Sequence, residues 1–151
     1  MTIAHWQQGW LTDDFHSVFR DIMQRLSGKY RVLIPVHCLM PDHLHILVAG
    51  IAPDTDQLLW SRAAKRALNL VLAPYRLQKQ AYDHVLRASE SGRDAFSALV
   101  HYILDNPVRA GLVEKSDKWT YCGSCIPQQS DYDAKSLDFR ERWWAYWTSL
   151  N

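Results

Sequence analysis

Residues 31–49 read RVLIPVHCLMPDHLHILVA, and this stretch decides the fold of the chain. Two apolar runs, Arg31–Met40 and His43–Ala49, are typical of β-strands. The Pro41-Asp42 pair between them is a turn signal. The stretch therefore predicts a β-hairpin around which the rest of the chain is arranged.

Two histidines of the second predicted strand are the first candidates for chemistry. In a strand, residues i and i+2 point to the same face, so His43 and His45 are predicted to project together, opposite to Leu44 and Ile46. Imidazole is the commonest metal ligand among protein side chains. The pair therefore predicts half of a metal site and leaves open what supplies the other half.

Outside the hairpin, hydrophobic periodicity and capping residues indicate six further elements. They are a strand over Thr2–Trp6, a helix over Asp14–Leu26 ended by Ser27-Gly28, a helix over Asp56–Leu72, a strand over Ala81–Arg87, a helix over Arg93–Asn106, and a helix over Leu137–Ser149. The first six elements in chain order follow the β-α-β-β-α-β pattern of a ferredoxin-like split fold. We expect an α+β protein with an antiparallel sheet, helices on one sheet face, and the other face available to a partner.

Composition narrows the class of protein. A chain of 151 residues with 48% apolar and 22% charged residues is typical of one globular domain, and no stretch approaches a membrane span. A net charge of +1 excludes a globally basic nucleic-acid-binding surface but allows a local basic groove. Three cysteines and no leader pattern favour a cytoplasmic location.

Cys122-Gly-Ser-Cys125 has redox or half-zinc spacing, but no second pair follows, so we expect neither role.

The helix that ends before Pro107 carries the second half of the candidate site. Tyr102 and Asn106 lie one turn apart on one flank of its apolar stripe, because a helix turns by about 100° per residue. The amide oxygen of Asn106 is a hard ligand suited to Mg²⁺ or Mn²⁺, although Asn is also a good C-terminal cap. The Tyr102 hydroxyl can act as a nucleophile on a substrate that a metal polarises.

Two motifs together resemble a known family. LMPDHLHILV (39–48) and YILDNPVRAGLV (102–113), in this order, are similar to motifs of the single-tyrosine HUH transposases, most closely the REP-associated tyrosine transposases and their insertion-sequence relatives. YDHVLR (82–87) also resembles the stretch before the tyrosine helix of those proteins. The resemblance extends from Trp6 to Cys125. It implies a transposase domain over 1–125, followed over 126–151 by a C-terminal helical extension packed on the same domain.

The resemblance implies a reaction and a partner. Single-stranded DNA beside a hairpin would bind the open sheet face, and Mg²⁺ or Mn²⁺ held by His43, His45 and Asn106 would polarise the scissile phosphate. Tyr102 would attack, forming a 5′-phosphotyrosine link and a free 3′-OH that another end can exchange. Many relatives have Gln where this chain has Asn106, so the third ligand departs from the commonest pattern. Relatives occur both as homodimers and as monomers.

Further residues are secondary candidates. Five basic residues are candidates for contacts to DNA phosphates: Arg62, Lys65, Arg66, Arg87 and Arg109. For the first three, a solvated helix face is an equally good interpretation. His84 is a candidate for a group behind the metal ligands or a proton donor, with a structural histidine as the alternative. The aromatic stripe of the last helix, which includes Trp143 and Trp147, is expected to pack rather than to stack on bases.

Three other functions compete with strand transfer. A replication or mobilisation nuclease of the same HUH class normally carries larger extensions than this chain has room for. A domesticated hairpin-DNA-binding module would keep the fold and lose the chemistry. A small metal-dependent hydrolase would use the histidine pair but leaves the tyrosine helix unexplained.

Overall fold

The computed structural model describes residues 1–79, 92–127 and 132–150, which form an α+β structure. Its elements, in chain order, are a 3-10 helix Ala4–Trp6, α1 Asp13–Tyr30, β1 Val32–Leu39, β2 Leu44–Gly50, α2 Gln57–Val71, α3 Arg93–Leu104, α4 Asn106–Arg109, a 3-10 helix Ser116–Lys118, β3 Cys122–Cys125 and α5 Phe139–Leu150. No helix among these described residues is long and apolar enough to cross a membrane.

The predicted hairpin is confirmed as the centre of an antiparallel sheet. Strand order is β2-β1-β3, so β1 lies between the other two. Cys38 of β1 is opposite His45 of β2 on one side and opposite Cys122 of β3 on the other. One row of side chains therefore runs across all three strands at this level of the sheet.

Pro35 interrupts the central strand. The register of β1 shifts between Leu33 and Val36 against β2, and between Ile34 and His37 against β3. Proline has no N–H to donate to a ladder, and within a sheet it is confined to edges and bulges. The Ser124 hydroxyl donates to the Pro35 carbonyl at 2.7 Å, which ties β3 to the irregular segment. The bulge changes the alternation of side chains along β1.

The first face of the sheet is covered by α1 and α2. Their apolar residues recur at helical spacing and meet alternate residues of the strands. The buried core on this face consists mainly of Phe15, Phe19, Ile22, Met23, Val32, Ile34, Leu39, Leu44, Trp60, Ala64 and Leu68.

The second face of the sheet is covered by α3 and α5. The buried residues here include Leu33, Val36, Cys38, Phe96, Val100, Ile103, Leu104, Cys122, Phe139 and Trp143. Phe96 stacks on Trp143 with ring centroids 5.2 Å apart, so the last helix packs directly on the tyrosine-bearing helix. The expectation of an open second face is therefore wrong. Helices cover both faces because the aromatic stripe of α5 needs an apolar surface to bury.

Helix α1 begins as predicted and ends later than predicted. The Thr12 hydroxyl accepts a hydrogen bond from the Phe15 N–H at 3.1 Å, as an N-cap residue does. Ser27-Gly28 does not stop the helix, which continues to Tyr30. Arg31 then takes a left-handed conformation (φ 52°) and its N–H bonds to the Ser27 carbonyl.

The strands differ from the predictions in two places. Thr2 and Ile3 pair with His43 and Leu77, but the chain then turns into a 3-10 helix, so the predicted strand over Thr2–Trp6 is limited to its first two residues. Strand β3 was not predicted from the sequence. The predicted strand Ala81–Arg87, which a ferredoxin-like sheet requires, lies outside the described residues.

Candidate metal and tyrosine site

His43 and His45 meet at the start of β2. Their Nε2 atoms are 2.9 Å apart, and their rings are nearly perpendicular with centroids 4.8 Å apart. The neighbouring Leu44 and Ile46 pack on the first face, so the alternation of the strand places His45 on the second face, beneath α3. The predicted pairing of the two imidazoles is confirmed.

Asp42 holds the ring of His43. Its Oδ1 is 2.6 Å from His43 Nδ1, and both side chains are about three-quarters buried, with 27% and 28% of their surfaces exposed. A carboxylate accepts, so the proton of the neutral ring resides on Nδ1 and a lone pair is left on Nε2. Histidines that bind metals commonly donate their second nitrogen to a carboxylate in this way. From the sequence, Asp42 was expected to act only as a turn residue.

His45 is neutral at pH 7. Its pKa is lowered to about 4, chiefly by burial, and the adjacent His43, the N-terminal ammonium and Arg109 contribute to the same shift. Because His43 Nε2 is an acceptor, the neutral His45 ring donates its own Nε2–H to it across the 2.9 Å separation.

Tyr102 of α3 lies over this pair. Its ring is 6.3 Å from the His45 ring, centroid to centroid and edge to face, and 48% of its surface is exposed. The Arg109 guanidinium carbon is 4.7 Å from the centre of the Tyr102 ring on the side of α4. Because Tyr102 is half exposed, its hydroxyl is available to a substrate. The Arg109 cation beside it favours a substrate that is anionic.

Asn106 stands between α3 and α4. Its side-chain Nδ2 donates to the Tyr102 carbonyl at 2.8 Å and to the Ile103 carbonyl at 3.3 Å, so it caps the end of α3. Within the described part of the chain, the amide makes no hydrogen bond to either histidine and its oxygen accepts none. The capping interpretation of this residue is therefore confirmed, and ligation by the oxygen stays a prediction.

The donor set fits a divalent ion in part. Two neighbouring ligands at about 2.1 Å on an octahedral ion lie about 3.0 Å apart, close to the observed 2.9 Å between the two Nε2 atoms. Among the described residues, no three His, Cys, Asp or Glu side chains are grouped closely enough to hold a metal. A complete site therefore needs oxygen ligands of another kind, such as the Asn106 amide, a substrate phosphate or water.

Other predicted site residues lie elsewhere. Arg62, Lys65 and Arg66 are on α2, which packs on the first face, so the structure does not bring them to Tyr102. Lys65 instead donates to the Lys79 carbonyl. His84 and Arg87 lie outside the described residues.

Cys122 and Cys125 face opposite sides of the sheet. Cys122 belongs to the core under α3 and α5, whereas Cys125 belongs to the core under α1 and α2. Two thiols on opposite faces of one strand cannot act together, which agrees with the expectation that this spacing has no redox or zinc role.

A second histidine pair lies on the first face, where His37 is fully buried and His16 is half-buried. His16 Nε2 of α1 is 3.1 Å from His37 Nε2 of β1, and Cys125 Sγ is 3.7 Å from His37 Nδ1. Burial lowers the pKa of His16 to about 4 and that of the fully enclosed His37 well below its usual value. The pairing of His37 with His16 was not predicted from the sequence.

The adjacency of Asp42 and His43 was the signal that sequence reasoning overlooked. An acid directly before a candidate ligand, in a tight turn, has few places to point except toward that ligand. Asp is common in turns, so its place in a Pro-Asp turn already explained the residue, and its contact with His43 was not considered.

Comparison with known proteins identifies no relative, because no family model, curated protein or solved structure matches this chain. A function for this chain must therefore be argued from the side chains described above and from the motifs that contain them.

Proposed function

We propose that this protein is a metal-dependent DNA strand transferase of the single-tyrosine HUH type, with a ferredoxin-like split fold. The observation that carries the proposal is the contact of Tyr102 with His45. Residues distant in sequence, which the family motifs single out separately, meet at one place in the fold. Tyr102 is half exposed, so its hydroxyl-bearing ring is accessible from solvent as well as adjacent to His45.

Each side chain has a task that follows from its surroundings. His43 and His45 would hold Mg²⁺ or Mn²⁺, which when bound supplies Lewis-acid polarisation of a phosphodiester. Asp42 fixes the ring of His43 so that Nε2 faces His45 as an acceptor. Arg109 would bind a phosphate oxygen beside Tyr102.

Tyr102 would act as the nucleophile. Its oxygen forms a bond to phosphorus, the bond from phosphorus to the 3′ oxygen breaks, and the phenol proton passes to solvent. The product carries a 5′-phosphotyrosine link and a free 3′-OH. Attack by the 3′-OH of another strand reverses the step and rejoins DNA without an external energy source.

The partner proposed is single-stranded DNA next to a hairpin. Because α3 and α5 cover the second sheet face, the strand would approach along the exposed side of Tyr102 and Arg109 rather than across a bare sheet. Phosphate contacts of this kind give affinity without sequence information.

A covalent-adduct assay tests the proposal. Wild-type protein incubated with Mn²⁺ and a hairpin-bearing single-stranded oligonucleotide library is expected to give a slower-migrating adduct on a denaturing gel. Tyr102→Phe should give none, while Tyr30→Phe, at the distant end of α1, should behave as wild type. Binding without an adduct would favour the non-catalytic hairpin-binding module, and an adduct with Tyr102→Phe would refute the nucleophile.

A further inference from the structure

Cys38 and Cys122 form a pair of thiols in the core of the second face. Both residues are reduced and buried, with 0% and 7% of their surfaces exposed. They are directly opposite each other in the β1–β3 ladder. The adjacent Cys122 thiol and burial both raise the pKa of Cys38, whose Sγ also lies 3.9 Å from Met40 Sδ.

The ladder geometry brings these two side chains close. The Leu39 N–H bonds to the Tyr121 carbonyl at 2.9 Å, which flanks the cysteine pair, so Cys38 and Cys122 occupy a non-hydrogen-bonded position. Opposed Cα atoms at such positions are about 4.5 Å apart. Disulfides span Cα distances of about 4.4–6.8 Å, so a bond between these two needs no rearrangement of the strands.

We propose that Cys38 and Cys122 are an oxidation site that forms a reversible disulfide between β1 and β3. Peroxides are the class of oxidant we assign to it. The Cys122 sulfur, the more exposed of the two, attacks the O–O bond, and a sulfenic acid and water result. The Cys38 sulfur then displaces the sulfenic oxygen as a second water. In sum, two thiols lose two electrons and two protons to one peroxide.

The position of the pair gives the bond a structural consequence. Cys38 is also opposite His45, so the disulfide would lie on the strand next to a candidate metal ligand. It would close a loop that includes α2, α3 and α4. Closing a long loop restricts the unfolded chain, so the oxidised protein should resist urea better than the reduced protein.

The chain contains its own control. Cys125 is the third thiol, it lies three residues from Cys122, and it is buried on the opposite face against His37. Its hydrogen-bonding neighbour is His37, and the residue opposite it in the ladder is Ile34 rather than a cysteine. Oxidation that follows burial alone would affect it as much as Cys38, whereas oxidation that follows pairing would spare it.

The experiment counts and maps thiols after prolonged treatment of the folded protein with hydrogen peroxide. Wild type and Cys125→Ala should each lose two thiols, and unreduced peptide maps should join the segments that contain residues 38 and 122. Cys38→Ala and Cys122→Ala should form no intramolecular link, and dithiothreitol should restore the thiols. Circular dichroism confirms that each variant is folded.

Two results would overturn the inference. One is the persistence of all three thiols in wild type, and the other is a link that includes Cys125. Neither readout involves DNA or metal, so this inference stands or falls independently of the proposed strand transfer.

Discussion

Acid should destabilise this protein through the His16–His37 pair, and the effect can be predicted in sign and size. An unfolded histidine has a pKa near 6.5. In the fold, the pKa of His16 is lowered to about 4 and that of His37 well below 6.5; burial is the largest cause for both, and the cations Arg20 and Lys135 contribute to both shifts. Asp13 acts in the opposite direction on His16 but does not outweigh burial.

The direction follows from proton binding. Between pH 6.5 and about 4, the unfolded chain binds protons at these histidines that the folded chain does not bind. The free energy of unfolding is therefore fully retained above pH 6.5 and falls as the pH drops below it. Each such histidine contributes a slope of up to about 1.4 kcal/mol per pH unit. For the fully enclosed His37, two pH units correspond to a loss of up to about 2.7 kcal/mol.

Urea denaturation at pH 7.5, 6.5, 5.5 and 4.5 measures this slope, with the fluorescence of the seven tryptophans as the signal. His37→Gln should have a shallower slope than wild type between pH 6.5 and 4.5. His101→Gln, at an exposed position of α3, should keep the wild-type slope. Parallel pH dependence in wild type and His37→Gln would refute the assignment of the acid sensitivity to His37.

Three further substitutions have defined expectations. Asp42→Ala should weaken Mn²⁺ binding by about 10- to 100-fold in titration calorimetry, because His43 loses the carboxylate that fixes its tautomer, and unchanged affinity would contradict the role of Asp42. Trp143→Ala should lower the free energy of unfolding by about 3–5 kcal/mol, because this side chain is 1% exposed and stacks on Phe96; a loss below 1 kcal/mol would show that α5 is dispensable. Asp56→Ala should cost about 1 kcal/mol in the same measurement, since its carboxylate accepts from the Leu59 N–H at 2.8 Å, and no loss would mean that the cap is replaced by solvent.

Local signals predicted most elements that the structure describes. Thr12 and Asp56 cap α1 and α2 close to where the periodic patterns begin, and the Pro41-Asp42 turn marks the hairpin. The pairing of His43 with His45 followed from the two-residue repeat of a strand alone. These features depend on neighbours in sequence, which is why one sequence is enough to predict them.

Features that depend on distant partners were not predicted. Strand β3 has the sequence Cys-Gly-Ser-Cys, whose Gly and Ser have little intrinsic preference for strands, and it exists because β1 offers a free edge. The aromatic stripe of the last helix was expected to pack, but its place over the second sheet face depends on the contact between Phe96 and Trp143, which the sequence did not indicate. The contact of Asn106 with the α3 carbonyls shows a cap, whereas its predicted ligand role needs a substrate or a metal to be tested.

The extra residue at Pro35 decides which face each later residue of β1 occupies. The bulge sets which of the consecutive residues His37 and Cys38 lies beside His45 and which enters the core under α1. Deleting Pro35 would give a regular ladder and leave Cys38 opposite His45 and Cys122, because β1 takes three steps here where each neighbouring strand takes two. Straightening the bulge without a deletion would instead turn every later residue to the other face. The His37 imidazole would then lie next to the candidate metal ligands, and the thiol opposite Cys122 would be lost.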